Sequence, residues 1–440
     1  MSTRLLVRIN VLIFTLSIML LQGCTTSAFK TADMRKFLQQ SRFDLALNEA
    51  ENALGENPAG VMENMNVGLL RRIGNDLQGS NEAFELAKIQ IGELYATSIS
   101  EHAVSAVTND ELISFQGDRF EQLLVHLYMA SNYLDMGDLD SARVEVLQSQ
   151  VKMDEWGEPK DEMPFMRYFS GMIYEMLGEE DSAAVSYRKA VDAYKNTYDK
   201  HYVKVPLQLK HDLLRVLSNM KLWDEVEFYK NQLNLKNYEV KEQSNDGSLV
   251  VILGNGLVPQ REQSVFQTWA PELAYNIRVA VPAYKRPPAL VNKARIRIHN
   301  QAVEMGTVSN LDGLARAALE ENIHTITARA IARAVVKKKT EKQVGERAGP
   351  LGELATMVVN FSSEIADTRC WNTLPQQFEF ARLNLPEGDY SLAIELLNPA
   401  GYMVDVIYEN VSIKRGQLSV ISKHWTSPVV RTVATDRRLN

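Results

Sequence analysis

Two cysteines, seven histidines and many carboxylates could do chemistry in this chain, so their spacing decides what is open to it. Cys370 could act as a nucleophile only as a thiolate beside a base. No base recurs at a diagnostic spacing, and a buried, inert thiol is the plain expectation. His102, His126, His201, His211, His299, His324 and His424 form neither HxH nor HExxH, so no metal site is expected. Asp and Glu mostly follow the solvent side of helices and single out no acid–base pair. Gly254-Asn255-Gly256 lacks the GxGxxG spacing and the Gly-Lys-Ser/Thr ending of a phosphate loop, and reads as a tight turn after a strand. The densest signature is EIADTRCWNTLPQQ, Glu364 to Gln377. Asp367 and Arg369 can pair under the Trp371 ring, and Leu374-Pro375 can close a rigid turn. A structural latch and a partner-binding loop both remain open for Asp367, Arg369, Trp371 and Pro375. No catalytic residue and no cofactor is expected.

Cys24 has a different setting. Arg4 and Arg8 precede an apolar run from Val11 to Leu21, and the small Gly23 stands just before Cys24. This is the layout of a secretory signal over residues 1–23, with an apolar run too short to cross a bilayer. Leu21-Gln22-Gly23-Cys24 resembles the bacterial lipoprotein processing box. The resemblance implies that the Cys24 thiol takes a diacylglycerol, that the chain is cut before Cys24 and that the new amine is acylated. Each buried CH₂ of such chains contributes about 0.8 kcal/mol. Thr25, rather than Asp, follows Cys24, which by the sorting rule of these lipoproteins implies the periplasmic face of the outer membrane. With Cys24 acylated, only Cys370 remains and no intrachain disulfide can form.

Residues 24–30 read as a tether, and the element pattern begins at residue 31. From 31 to 230, apolar residues recur at three- and four-residue intervals with almost no strand signals. Leu124–Gln150 and Met166–Asp192 can be laid on each other: Tyr133, Gly137 and Ala142 of the first match Tyr174, Gly178 and Ala183 of the second. Gly ends a helix where the chain turns, and Ala lets the next helix approach closely. Gly171, Tyr174, Gly178, Ala183, Tyr187 and Ala190 stand at the small and aromatic positions of the tetratricopeptide repeat, which these stretches resemble. Arg42–Ala46 and Leu222–Val226 look like degraded copies of the repeat turn. The expectation is an all-α helical solenoid of this type, whose concave surface binds peptides or partner proteins.

Residues 231–247 turn polar and read as a linker. Over 248–440 the pattern changes. Strands are expected at Leu249–Leu253, Ala274–Val281, Arg295–His299, Phe378–Leu383, Asp389–Leu396, Met403–Tyr408 and Leu418–Ile421. A long amphipathic helix is expected from Asn310 or Leu311 to about Lys342, followed by a second helix after Gly345–Pro350. Acidic residues lie early in it and Arg329, Arg333, Lys337, Lys338 and Lys339 lie late, which suits the helix dipole. The basic end reads as a solvated terminus or as a docking surface for lipid headgroups or an acidic protein. The whole is a mixed α/β domain with an antiparallel sheet. The net charge of −7 argues against nucleic acid.

The lipobox, the repeats, GNGLVPQR at Gly254–Arg261 and ADTRCWNTLP at Ala366–Pro375 together resemble a functionally uncharacterised group of bacterial tetratricopeptide lipoproteins. The resemblance implies an envelope location and a β-containing domain behind the repeats. It supplies no catalytic residues. The function expected is a non-enzymatic envelope scaffold or assembly factor with a protein partner, held to the membrane by its acyl chains. A cell-wall-directed enzyme or binding module, and a carrier for lipids or outer-membrane proteins, are the alternatives.

Overall fold

The computed structural model describes residues 25–58, 60–105, 114–239, 246–271, 274–285, 291, 293–363 and 365–426. The signal segment and Cys24 lie outside them. The helices of the first half are α1 (Thr25–Gln39), α2 (Phe43–Glu56), α3 (Val61–Ile73), α4 (Leu77–Ser105), α5 (Arg119–Asp135), α6 (Leu139–Trp156), α7 (Pro164–Met176), α8 (Glu180–Asn196), the short α9 (Tyr198–His201), α10 (Leu207–Asn219) and α11 (Trp223–Gln232). Residues 25–30, expected as a tether, are the first turns of α1.

Among the described residues, α1/α2, α3/α4, α5/α6, α7/α8 and α10/α11 are helical hairpins closed by one device. A residue with a left-handed backbone ends the first helix: Ser41, Asn75, Gly137, Gly178 or Lys221. The next N–H then reaches back five residues, from Arg42 to Phe37, Asp76 to Arg71, Asp138 to Tyr133, Glu179 to Tyr174 and Leu222 to Leu217. This is the Schellman closure, usually built on glycine. Only Gly137 and Gly178 show it in sequence. After these two turns Ala142 and Ala183 are fully buried. A Cβ at Gly171 would lie 2.3 Å from the Tyr187 ring, so the α7–α8 contact requires glycine there. Extra residues between the two matched copies form a left-handed Gly157 and a 3₁₀ turn, Pro159–Asp161.

The second half contains β1 (Gly247–Asn255), β2 (Arg261–Ala270), β3 (Tyr275–Tyr284), β4 (Lys293–Ile298), β5 (Gln301–Glu304), β6 (Gly306–Asn310), α12 (Leu311–Ser363), β7 (Gln377–Leu385), β8 (Gly388–Leu397), β9 (Met403–Ile413) and β10 (Leu418–Trp425). They build a first sheet in the order β10-β1-β7-β6, a second in the order β5-β4-β8-β9, and a separate β2–β3 ribbon. The β1–β10 pair is parallel, so the first sheet is mixed rather than antiparallel as expected. β3 runs past Val281, where the expected strand ended, through Pro282 to Tyr284. A two-stranded ribbon leaves its outer edge unpaired, where a missing N–H costs no ladder bond.

α12 also departs from expectation, continuing through Gly349-Pro350. Straight, its 53 residues would span ~80 Å. Yet Leu311 N donates to Gln376 O, and the chain from Ser363 to Gln376 reaches at most ~47 Å. The helix therefore bends, and Gly349-Pro350 supplies a cause.

Both faces of β1 are buried, which explains the unbroken apolar run in SLVVILGN. Leu249, Val251 and Leu253 of β1 pack with Ala381 and Leu383 of β7 against Ile296 and Ile394 of the second sheet. Val250, Ile252, Phe378 and Phe380 face the other way, into the helical hairpins, and join the same core as Tyr128, Phe165, Tyr168 and Tyr187. The molecule is thus layered: hairpins, first sheet, second sheet. The two halves share a core.

Candidate functional site

The inner face of the hairpins is where the sequence motifs converge. On it stand Tyr128 of α5, Phe165 and Tyr168 of α7, and Phe84 of α4. Phe84 and Tyr128 stack with ring centroids 6.1 Å apart, and Trp371 packs edge-on against both, at 5.8 and 5.7 Å. Phe378 lies 5.4 Å from Phe165, and Phe380 lies 5.1 Å from Tyr168. His424 packs on Tyr128 at 5.6 Å, and burial pushes its pKa down to about 3, so this ring is neutral. Side chains of the second half fill the surface that a helical repeat usually offers to a ligand.

GNGLVPQR and ADTRCWNTLP meet there. Val258 N donates to Leu374 O at 2.9 Å, and Arg261 Nη1 to Arg369 O at 3.2 Å. Arg35 of α1 clamps both segments, donating to Asn372 O at 2.6 Å and Val258 O at 2.8 Å. Trp371 N donates to Glu121 of α5, and Thr373 to Asn66 of α3. Asp367 and Arg369 form a local two-point ion pair, with Arg369 also over the Phe115 ring. Trp371 turns away from that pair into the helical core, rather than roofing it as expected. The Asp367–Pro375 segment therefore joins the two halves and does not belong to the C-terminal domain alone.

Two buried charge groups flank this seam. Asp118 and Glu121 form a capping box at the start of α5, and Asp118 pairs with Arg261. Burial and the neighbouring Asp118 charge push Glu121 up to about 7. The Cys370 thiol is buried and pushed up to about 11 by the same desolvation, which leaves it protonated and unreactive at neutral pH. At the other end, Arg382 of β7 donates to Glu175 Oε1 at 2.7 Å and to Asp212 Oδ1 at 3.2 Å. Arg215, Tyr168 and Tyr187 complete the cluster through Glu175 and Asp212. Burial opposes the Glu175 charge, but Arg382 and Arg215 outweigh it and hold the carboxyl far below its usual range. These carboxylates are bound as ion-pair partners and helix caps, which fits attachment of one half to the other.

A cleft of about 460 Å³ opens at the rim, lined by His201, Lys204, Thr307, Asn310 and Gln377 among others. Both His201 nitrogens are engaged, by Thr197 and by Val203 N, and burial lowers its pKa to about 4. The lining residues include no carboxylic acid, so the cleft holds no pair of carboxylates.

The repeat positions stand within the helical packing. Ala142, Ala183, Tyr187 and Ala190 are fully buried, Tyr174 is nearly so, and Tyr133 is half-buried against the same core. The Tyr174 hydroxyl reaches Gln150 of the preceding hairpin at 3.5 Å. Sequence reasoning missed Arg35, Glu175, Asp212, Arg215 and Arg382, whose partners are remote along the chain. Asp118-Arg119-Phe120-Glu121 was legible as a capping box. The outer side of the hairpins leaves Leu86 and Ile89 of α4, Val144, Leu147 and Val151 of α6, and Val185 of α8 in solvent. These helices adjoin: Lys88 pairs with Glu145, and Gln150 bonds Ser186.

No family model matches the chain, and no curated protein does. Among solved structures, the chain is similar to MamA at 12% identity, with 46% of this chain and 92% of that chain covered and a TM-score of 0.31. It is similar to the apo form of RapI at 13% identity, with 50% and 56% covered and a TM-score of 0.36. BtubC from P. vanneervenii matches at 14% identity, with 47% and 76% covered and a TM-score of 0.32.

Proposed function

We propose that this chain is an outer-membrane lipoprotein, anchored through acylated Cys24 on the periplasmic side, that works as a non-enzymatic scaffold for an envelope protein. Its repeats form a solenoid whose outer face receives the partner. The observation that carries this reading is the filled inner face: Trp371, Phe378 and Phe380 occupy it, while Leu86, Ile89, Val144, Leu147, Val151 and Val185 remain exposed on adjoining helices. Exposed apolar side chains gathered on neighbouring helices favour an interaction surface. The engaged carboxylates of the seam support a binding role over acid–base chemistry.

A photocrosslinking residue at Leu147 or Val151, compared with one at the exposed Tyr408 of the second sheet, tests the partner surface in the native envelope. A discrete adduct from the α6 positions alone is expected. Adducts only from Tyr408 would move the partner to the second sheet. Mass spectrometry of the purified N-terminus tests the anchor: a processed, membrane-bound chain with unmodified Cys24 would end that part of the reading.

A further inference from the structure

The β2–β3 ribbon and the part of α12 packed on it form an arm with an apolar inner side. Ile277, Val279 and Val281 of β3 are buried there with Ala330 and Ala334 of α12. The end of the ribbon is different. Trp269 and Tyr275 flank its turn and are 57% and 54% exposed. Tyr275 is paired with Ala270, and Trp269 with Asn276. Paired residues share a face while successive residues alternate, so the two aromatic rings stand on opposite faces of the ribbon. Val265, on the Trp269 side, and Val336 of α12 are exposed as well. Lys338 Nζ lies 4.7 Å from the Tyr275 ring centroid. Along α12, Arg329, Lys337, Lys338 and Lys339 are at least partly exposed while Arg333 is buried, and no acidic residue lies between Arg329 and Lys339, in a chain whose net charge is −7.

We propose that the end of this arm is a second membrane contact, which sets Trp269 and Tyr275 into the interfacial layer of an anionic phospholipid bilayer. Both rings join an apolar body to a polar group, the chemistry that places Trp and Tyr at headgroup depth. Their positions on opposite faces suit a wedge, because a bilayer surrounds an inserted end whereas a flat protein surface covers one face. The exposed basic residues of α12 beside Tyr275 complement anionic headgroups.

Reach agrees with this. Arg35 holds Val258, three residues before β2 begins. Helix α1 separates Arg35 from its own first residue, Thr25, by ~15 Å, and a ten-residue strand extends ~33 Å. The reach argument rests on the acyl anchor proposed above. Insertion itself does not.

The test uses the chain beginning at Thr25, which keeps every described residue and carries no acyl group. It is floated with vesicles of phosphatidylethanolamine and phosphatidylglycerol, and separately with phosphatidylcholine alone. Flotation with the anionic vesicles is expected, weakened about tenfold or more by Trp269→Ser with Tyr275→Ser. Circular dichroism checks that this double variant keeps its fold. Brominated lipid should quench wild-type emission, and Trp269→Phe should remove that quenching. An unbound wild-type chain overturns the proposal while leaving the acyl anchor standing, as does equal binding by the double variant. A Trp269 photocrosslink to protein with no vesicle binding also overturns it, in favour of a protein partner.

Discussion

Trp371 and Trp269 carry the same side chain into opposite surroundings. At the seam, Trp371 is fully buried, edge-on against the stacked Phe84 and Tyr128, its indole N–H donating to Thr373 and its backbone N–H to Glu121. At the arm, Trp269 stands in solvent on a two-stranded ribbon. A large aromatic ring contributes stability through the surface that folding removes from water. The first indole therefore holds the halves together, and the second is available to something outside the chain. The comparison also separates the two ends of the function proposed above: the seam fixes the shape of the scaffold, and exposed surfaces do the binding.

The largest effect should come from Trp371→Ala, at about 3–5 kcal/mol of stability. Because the shared core includes both halves, urea unfolding followed by far-UV circular dichroism should show helices and sheets losing stability together. A helical transition at the wild-type midpoint would show that the halves fold independently and break the picture of one core. Ala183→Trp overpacks the α7–α8 contact and should cost roughly 1–3 kcal/mol. Since sheet residues fill the inner face, the full chain is the right material for that titration, and an unchanged midpoint would contradict the close approach at Ala183.

The third effect depends on pH. Glu121 is raised from 4.5 to about 7 in the folded chain. Between those values the folded state holds a proton that the unfolded state has released, so its contribution to stability falls as pH rises through this window. Glu121→Gln removes that decline and keeps an amide acceptor for Trp371 N–H. Thermal midpoints of the two chains, followed from about pH 5 to about pH 7, should therefore diverge as pH rises, with the wild type falling relative to the variant. Parallel curves would mean that Glu121 is not desolvated by the seam. The smallest effect belongs to Trp269→Ala, within about 0.5 kcal/mol of wild type. A larger loss, read by the same urea titration, would mean that the arm's ring is packed and would erase the contrast with Trp371.

Local pattern made much of this legible. Helical periodicity marked the first half, a compact apolar run closed by Gly254-Asn255-Gly256 marked β1, alternation marked β4, and short strand-like runs, two of them joined at a Pro-Glu-Gly-Asp turn, marked β7, β8, β9 and β10. The Gly137 and Gly178 turns were readable because glycine announces a left-handed backbone. Ser41, Asn75 and Lys221 adopt the same backbone without announcing it, so three of the five hairpin turns were degraded or silent in sequence. β2 was missed because REQSVFQTWA forms an exposed ribbon with little apolar alternation to read. The extension of α12 was missed because Gly349-Pro350 is an ordinary stop signal, and a bend is the less common outcome.

Of this chain, the sequence by itself determined the helical and strand-bearing halves, the close-packed Gly and Ala positions, the absence of a recognisable metal or catalytic spacing, and the expectation of an acylated Cys24. Only the tertiary structure decided what the inner face holds. Arg382 meets Glu175 from 207 positions away, and Trp371 meets Glu121 from 250. Such contacts arise when two complementary surfaces dock, and no local spacing encodes them. Hydrophobic periodicity says which side of a helix leaves water, but not whether another protein or the chain's own sheet will cover it.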